Sequence, residues 1–180
     1  MPSKVVLLAA LLAVGLSAVW GVDYVNNWDG PVDFECPDAE SIGYLYSIHS
    51  NTAEDRRWKI ACRKPPSGAE VRKCEWTPNY VNQNDRTLLY MCPANYVISG
   101  VKSVHSNRDE DRRYKFKCCK DSNYVTTSCT RSDWLNNWDG ALDFTVANGR
   151  VLTGWFSVHD NSKEDRRHKF ITCQLKDQNS

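Results

Sequence analysis

After residue 19 the chain never assembles the roughly 20 consecutive apolar residues that a membrane-spanning helix needs. It also lacks a surplus of either charge. The 23 Lys and Arg stand against 22 Asp and Glu, so no global field drives it onto nucleic acid or an anionic membrane. There is no Gly-rich phosphate loop, nucleophile elbow, His-Glu-x-x-His or Cys-x-x-Cys. Catalytic residues, a metal site and cofactors are therefore not expected. No Asn-x-Ser/Thr sequon occurs, which argues against N-glycosylation. The absence of Arg-Gly-Asp excludes integrin binding through that tripeptide.

One apolar stretch is present, and it is short and early. Lys4 precedes "VVLLAALLAVGLSAV" (5–19), and Val19 and Gly21 supply small residues at a cleavage position. This reads as a secretory signal peptide over 1–21, with a secreted, extracellular mature chain of about 159 residues (22–180). Without Lys4, 22 basic residues balance 22 acidic ones. Eight cysteines remain, at 36, 62, 74, 92, 118, 119, 129 and 173. An even count in an exported chain points to four disulfides.

Three internal repeats, about 22–73, 74–128 and 129–176, give those cysteines an order. "EDRRWKIAC" (54–62) returns as "EDRRYKFKCC" (110–119) and "EDRRHKFITC" (164–173). Cys36, Cys92 and Val146 are equivalent. Twelve residues before each stand Tyr24, Tyr80 and Trp134, and thirteen after each stand His49, His105 and His159. The third repeat lacks both Cys36 and Cys62 equivalents, having Val146 and Thr172, as a pair inside one repeat requires. This predicts Cys36–Cys62 and Cys92–Cys118. The remaining cysteines pair as Cys74–Cys119 and Cys129–Cys173, with an exchange between neighbouring Cys118 and Cys119 left open.

Short β-type runs between Gly, Pro, Asn and Asp clusters indicate an all-β, disulfide-stabilised single domain with pseudo-threefold symmetry. A β-prism-like arrangement is expected, with a β-trefoil as the alternative. Each repeat carries strands around "VDFEC", "IGYLYSIHS" and "RRWKIAC", with a shorter one near "YVNN". "RKPPSGAEVRK" (63–73) and "KDSNYVTT" (120–127) read as connections. In the last strand Arg56, Trp58, Ile60 and Cys62 share one face, a period of two with an apolar side.

That period separates scaffold from candidate binding residues. Asp55, Arg56 and Trp58, then Asp111, Arg112 and Tyr114, then Asp165, Arg166 and His168 form a structural motif. In it an inward arginine is paired by the adjoining Asp and turn carbonyls. The opposite face presents Arg57/Lys59, Arg113/Lys115 and Arg167/Lys169 as basic strips suited to sulfated glycans. "NNWDG" at 26–30 and 136–140 is the candidate sugar site. A Trp face stacks on sugar rings, and flanking amide and carboxylate groups match hydroxyls, which nominates Asn27, Trp28 and Asp29 with Asn137, Trp138 and Asp139. The middle copy, "QNDR" (83–86), lacks the Trp. The three equivalent histidines read as structural or surface residues.

The repeated Asp-Arg-x-aromatic-x-x-x-Cys, "CP" at 36–37 and 92–93, and adjacent Cys118/Cys119 resemble the dermatopontin family. The first repeat begins almost at the expected cleavage position, without a long tyrosine-rich acidic stretch before it, so the resemblance leans toward the family's invertebrate haemagglutinin/amebocyte aggregation factor type. The third copy departs from the pattern with His168 and Thr172. The resemblance implies a non-enzymatic adhesion protein. Its partners would be cell-surface or matrix glycans, sulfated glycosaminoglycans among them, and collagen or other matrix proteins. A lectin-like, multivalent aggregating role follows, with a structural matrix or biomineral protein as the alternative. The "W-x-G … C-P" framing is also similar to the β-prism of egg vitelline outer-layer proteins.

Overall fold

A computed structural model describes residues 22–179, so the expected leader over 1–21 lies outside the described residues. The described residues run as eleven strands. The first repeat gives β1 (Val32–Glu35), β2 (Ser41–Ser50) and β3 (Asp55–Arg63). The second gives β4 (Lys73–Trp76), β5 (Leu88–Met91), β6 (Val97–Ser106) and β7 (Asp111–Lys120). The third gives β8 (Tyr124–Arg131), β9 (Leu142–Thr145), β10 (Arg150–Asp160) and β11 (Asp165–Asp177). Apart from one 3-10 turn at Pro66–Gly68, no helix occurs among the described residues.

Three long hairpins, β2–β3, β6–β7 and β10–β11, are the framework. Each alternates buried and half-buried positions along its second strand, as the sequence period requires. Each also carries a register shift at the same place: between Ile42 and Tyr44, Ile98 and Gly100, and Leu152 and Gly154. Such a bulge bends the strand and raises its twist.

The short strands do not stay with their own hairpins. β1 of the first repeat pairs with β6 of the second, β5 of the second with β10 of the third, and β9 of the third with β2 of the first. The exchange is cyclic, so every repeat completes the sheet of another. The result is three antiparallel sheets, ordered β1-β6-β7-β4, β5-β10-β11-β8 and β3-β2-β9. They share one aromatic core of Trp58, Tyr114, Phe116, Trp155 and Phe170 with Leu45, Leu88 and Leu142. Trp155 is its hub, 4.5 Å from Phe170 and 5.4 Å from both Trp58 and Phe116 between ring centres.

The disulfides are Cys36–Cys62, Cys92–Cys118, Cys74–Cys119 and Cys129–Cys173. Adjacent Cys118 and Cys119 reach different partners because successive strand residues point to opposite faces. Three details depart from the expectations. "YVNN" forms no strand; it lies along β3 through Val25 N–H donating to the Trp58 carbonyl. The second half of the 120–127 connection is the start of strand β8, which, like β4, is an outer strand tied to its neighbour by a disulfide. The connection over 63–73 also contributes core: Ala69 and Val71 are buried with Val97, Val151 and Leu175 in a second apolar cluster.

Candidate functional site

The inward arginines are paired, though not by the adjoining Asp. Arg56 makes a two-pronged bond to Asp165, its Nε 2.6 Å and Nη2 2.8 Å from the carboxylate oxygens. Arg112 binds Asp55 at 2.5 and 2.7 Å, and Arg166 binds Asp111 at 2.6 Å through both prongs. Neighbours on a strand diverge to opposite faces, so Asp55 cannot serve Arg56; each arginine reaches into another repeat instead. Arg56, Arg112 and Arg166 also donate to the carbonyls of Gly140, Gly30 and Arg86. Asp55, Asp111 and Asp165 in turn accept the backbone N–H of Asp29, Asp85 and Asp139. The "EDRR" clusters thus close a three-membered ring of buried ion pairs and pin the "NNWDG"-type turns onto it. Burial works against ionisation of Asp165, but His49 and Arg56 beside it outweigh that and hold its carboxyl well below the usual carboxylate range.

Each turn is held at its other end by a buried asparagine. The Asn26 amide donates to the Arg56 carbonyl and its oxygen accepts the Trp58 N–H; Asn82 and Asn136 repeat this with the strands of their own repeats. Asn26, not Asn27, is therefore structural, and Asn27 and Asn137 are exposed. Asp29, Asp85 and Asp139 take left-handed backbone, with φ of 59°, 59° and 61°. This is a conformation that short polar residues tolerate better than most.

Pinned this way, the turns deliver Trp28 and Trp138 to the outer faces, half-buried beside the basic strips. The Arg57 guanidinium lies 4.1 Å from the Tyr24 ring centre and 5.6 Å from that of Trp28, and Lys59 Nζ lies 4.8 Å from Tyr24. In the third repeat Arg167 lies 4.5 Å from Trp134 and 5.7 Å from Trp138, with Lys169 at 4.6 Å from Trp134. Phe156 continues that row, 5.7 Å from Trp134 and covered by Arg131 at 5.6 Å. In the second repeat Arg113 and Lys115 lie 4.7 and 5.2 Å from Tyr80, and Asn84 stands where the others have Trp.

Two sets of candidate residues that the sequence separates are therefore one surface: a ladder of alternating rings and cations, present in full twice and truncated once. Cation–ring stacking immobilises the basic heads while leaving them solvated at their outer edge. Tyr24, Tyr80 and Trp134, the residues that join strip to turn, were visible only as equivalent positions. Their place twelve residues before Cys36, Cys92 and Val146 was the available signal. Asp29 and Asp139 contribute their backbone to the charged ring, and their partly exposed carboxylates turn inward to His105 and His49, at 3.7 and 3.9 Å, rather than outward to the ladder.

The sequence has counterparts among known proteins. A family model described as Dermatopontin matches residues 26–177. The chain is 42% identical over 178 residues to "Hemagglutinin/amebocyte aggregation factor" of Limulus polyphemus, covering 98% of this chain and 99% of that one. It is 35% identical over 151 residues to "Dermatopontin" of Biomphalaria glabrata, with 84% of this chain and 99% of the other covered. A third relative, "Millepora cytotoxin-1" of Millepora dichotoma, is 36% identical over 149 residues, 83% of this chain and 65% of that protein. No solved structure matches the chain at a significant level. With its repeats, four disulfides and a family model matching residues 26–177, the chain belongs to the dermatopontin family.

Proposed function

We propose that this is a secreted, extracellular, non-enzymatic adhesion protein that aggregates cells by binding acidic glycans through its ring-and-cation ladders. A relative bearing the name haemagglutinin and aggregation factor supports the adhesive role. The observation that carries the ligand class is the placement of Arg57 over both Tyr24 and Trp28, with Arg167 likewise over Trp134 and Trp138. A neutral sugar would have to share the Trp face with a guanidinium. A sulfated or carboxylated chain meets both: sugar faces pack on the rings while its anions bind the fixed arginines. Two full ladders and one truncated ladder on one rigid body bridge cells without oligomerisation, since the second contact is made at high effective concentration.

Agglutination of red cells tests the reading, with inhibition by sulfated polysaccharide compared against neutral sugars. Agglutination that sulfated chains block at concentrations where neutral sugars do nothing is the expected result. Protein that binds no acidic glycan and shows no agglutination, yet binds collagen or mineral, would sink the proposal in favour of a structural matrix protein.

A further inference from the structure

Inside the charged ring, His49, His105 and His159 occupy equivalent places near the ends of β2, β6 and β10, and each side chain is 1% exposed. Neither ring nitrogen of any of the three has a hydrogen-bond partner. Their surroundings are carboxylates. His159 Nδ1 lies 3.5 Å from Asp85 Oδ1, and its Nε2 lies 3.9 Å from Asp111 Oδ1 and 3.7 Å from Glu164 Oε2. His105 faces Asp29, Asp55 and Glu110 at 3.7, 4.0 and 3.6 Å, and His49 faces Asp165 and Asp139 at 3.2 and 3.9 Å. Buried polar groups left without partners in this way are costly.

The charges at one junction do not balance either. Arg166 neutralises Asp111, but among the described residues no Lys or Arg forms an ion pair with Asp85 or Glu164, and Arg108 acts on Asp85 only at longer range. Glu164 Oε2 is itself buried and unpaired. A divalent ion would cancel both charges.

We propose that Asp85, Asp111 and His159 form a binding site for a divalent transition ion of the zinc type. One ligand atom from each lies within 4.8 Å of the other two. Donors 2.0–2.2 Å from a tetrahedral zinc stand about 3.4 Å apart, so small side-chain adjustments close the set. An imidazole with two carboxylates suits zinc rather than calcium, which takes oxygen donors. Asp111 keeps capacity for it. Oδ2 accepts Arg166 Nη2 and the Asp85 N–H, whereas Oδ1 accepts only Arg166 Nε and retains a lone pair. Carboxylates stand 3.5–3.9 Å from both imidazole nitrogens, so the nitrogen that does not bind the metal has a carboxylate close enough to become its acceptor after a small adjustment, the usual way a ligating ring is oriented. The ion joins the second repeat to the third. Asp29, Asp55 and His105, and Asp139, Asp165 and His49, are looser copies of the same triad at the other two junctions. The site does not depend on what the outer ladders bind.

The chain offers little background for zinc. The side chains of all four histidines are buried and no cysteine is free. Chelator-stripped secreted protein is titrated with zinc chloride against a chromophoric zinc indicator, and its thermal midpoint is followed with and without metal. Saturable uptake of at least one zinc per chain is expected, with a midpoint rise of about 8 °C at a hundredfold excess over Kd. Asp85→Asn, at a partly exposed position, should unfold like wild type without metal but bind zinc at least tenfold more weakly. Asp85→Glu should restore part of the binding. No uptake, wild-type affinity in Asp85→Asn, or an equal midpoint rise with calcium would each overturn the assignment.

Discussion

At the scale of single residues, stability rests on ionised groups held away from water. Each ring arginine neutralises an aspartate from another repeat, so removing one partner strands a buried charge. Arg112→Ala is expected to lower unfolding free energy by about 3–5 kcal/mol, read from denaturant unfolding. His168 works in the opposite sense. Burial, reinforced by Arg56, keeps it neutral and its pKa far below the ordinary histidine value, and its Nδ1 accepts the Trp155 indole N–H. The unfolded chain takes up a proton below about pH 6.5 that the folded chain refuses. Stability should therefore fall by about 1.4 kcal/mol per pH unit as the pH drops below 6.5. Denaturant curves at pH 7.5, 6.5 and 5.5 measure this, and His168→Phe should flatten the dependence. Asp165 adds a second acid limit. Its folded pKa is depressed, so its stabilisation is complete above the unfolded carboxylate value near 3.9 and drains away as the pH falls further.

At the scale of elements, the hairpins are specified locally and the outer strands are not. β3, β7 and β11 show their buried faces in the sequence because apolar residues alternate with basic ones. β4 and β8 carry little such contrast, with "KCEW" and "YVTTSCTR" mostly exposed or half-buried. They are strands because a neighbouring edge and a disulfide hold them there. Serine at both Cys129 and Cys173 should cost about 4 kcal/mol by the loop-entropy argument for a separation of 44 residues. Amide exchange should then show β8 opening before the hairpins do. The Asn26 lock is also local to one element pair. Asn26→Ala orphans the buried Trp58 N–H and the Arg56 carbonyl, with an expected cost of about 1–3 kcal/mol and loosening of the Trp28 turn.

At the scale of the whole molecule, both the strand exchange and the ion-pair ring run in cycles through all three repeats. No repeat can close its own sheet or neutralise its own arginine, which makes folding of an isolated repeat unfavourable. The same closure places the strands that carry the ladders, β3, β7 and β11, in three different sheets, so the proposed bridging can be tested one ladder at a time. Replacing Trp28 and Arg57 by Ala on one face should raise the protein concentration needed for agglutination at least tenfold. Adding Trp138→Ala and Arg167→Ala on another should abolish it, while circular dichroism stays unchanged. Agglutination should also weaken with rising salt, because the fixed arginines act through charge.

The amino-acid sequence alone determined the three repeats, the pleat of each hairpin strand and the logic of cysteine pairing. All of these are carried by spacing within one repeat or by what one repeat lacks. Tertiary structure decided the rest. To Arg56 the carboxylates of Asp55, Asp111 and Asp165 are chemically the same, and nothing in a linear string ranks them. Only the direction in which the three hairpins close selects Asp165, 109 residues away. The same closure sets Arg57 over Tyr24 and Trp28, turning two separate motifs into one surface. It also encloses three histidines among carboxylates, where each repeat on its own shows only a histidine at the end of a strand.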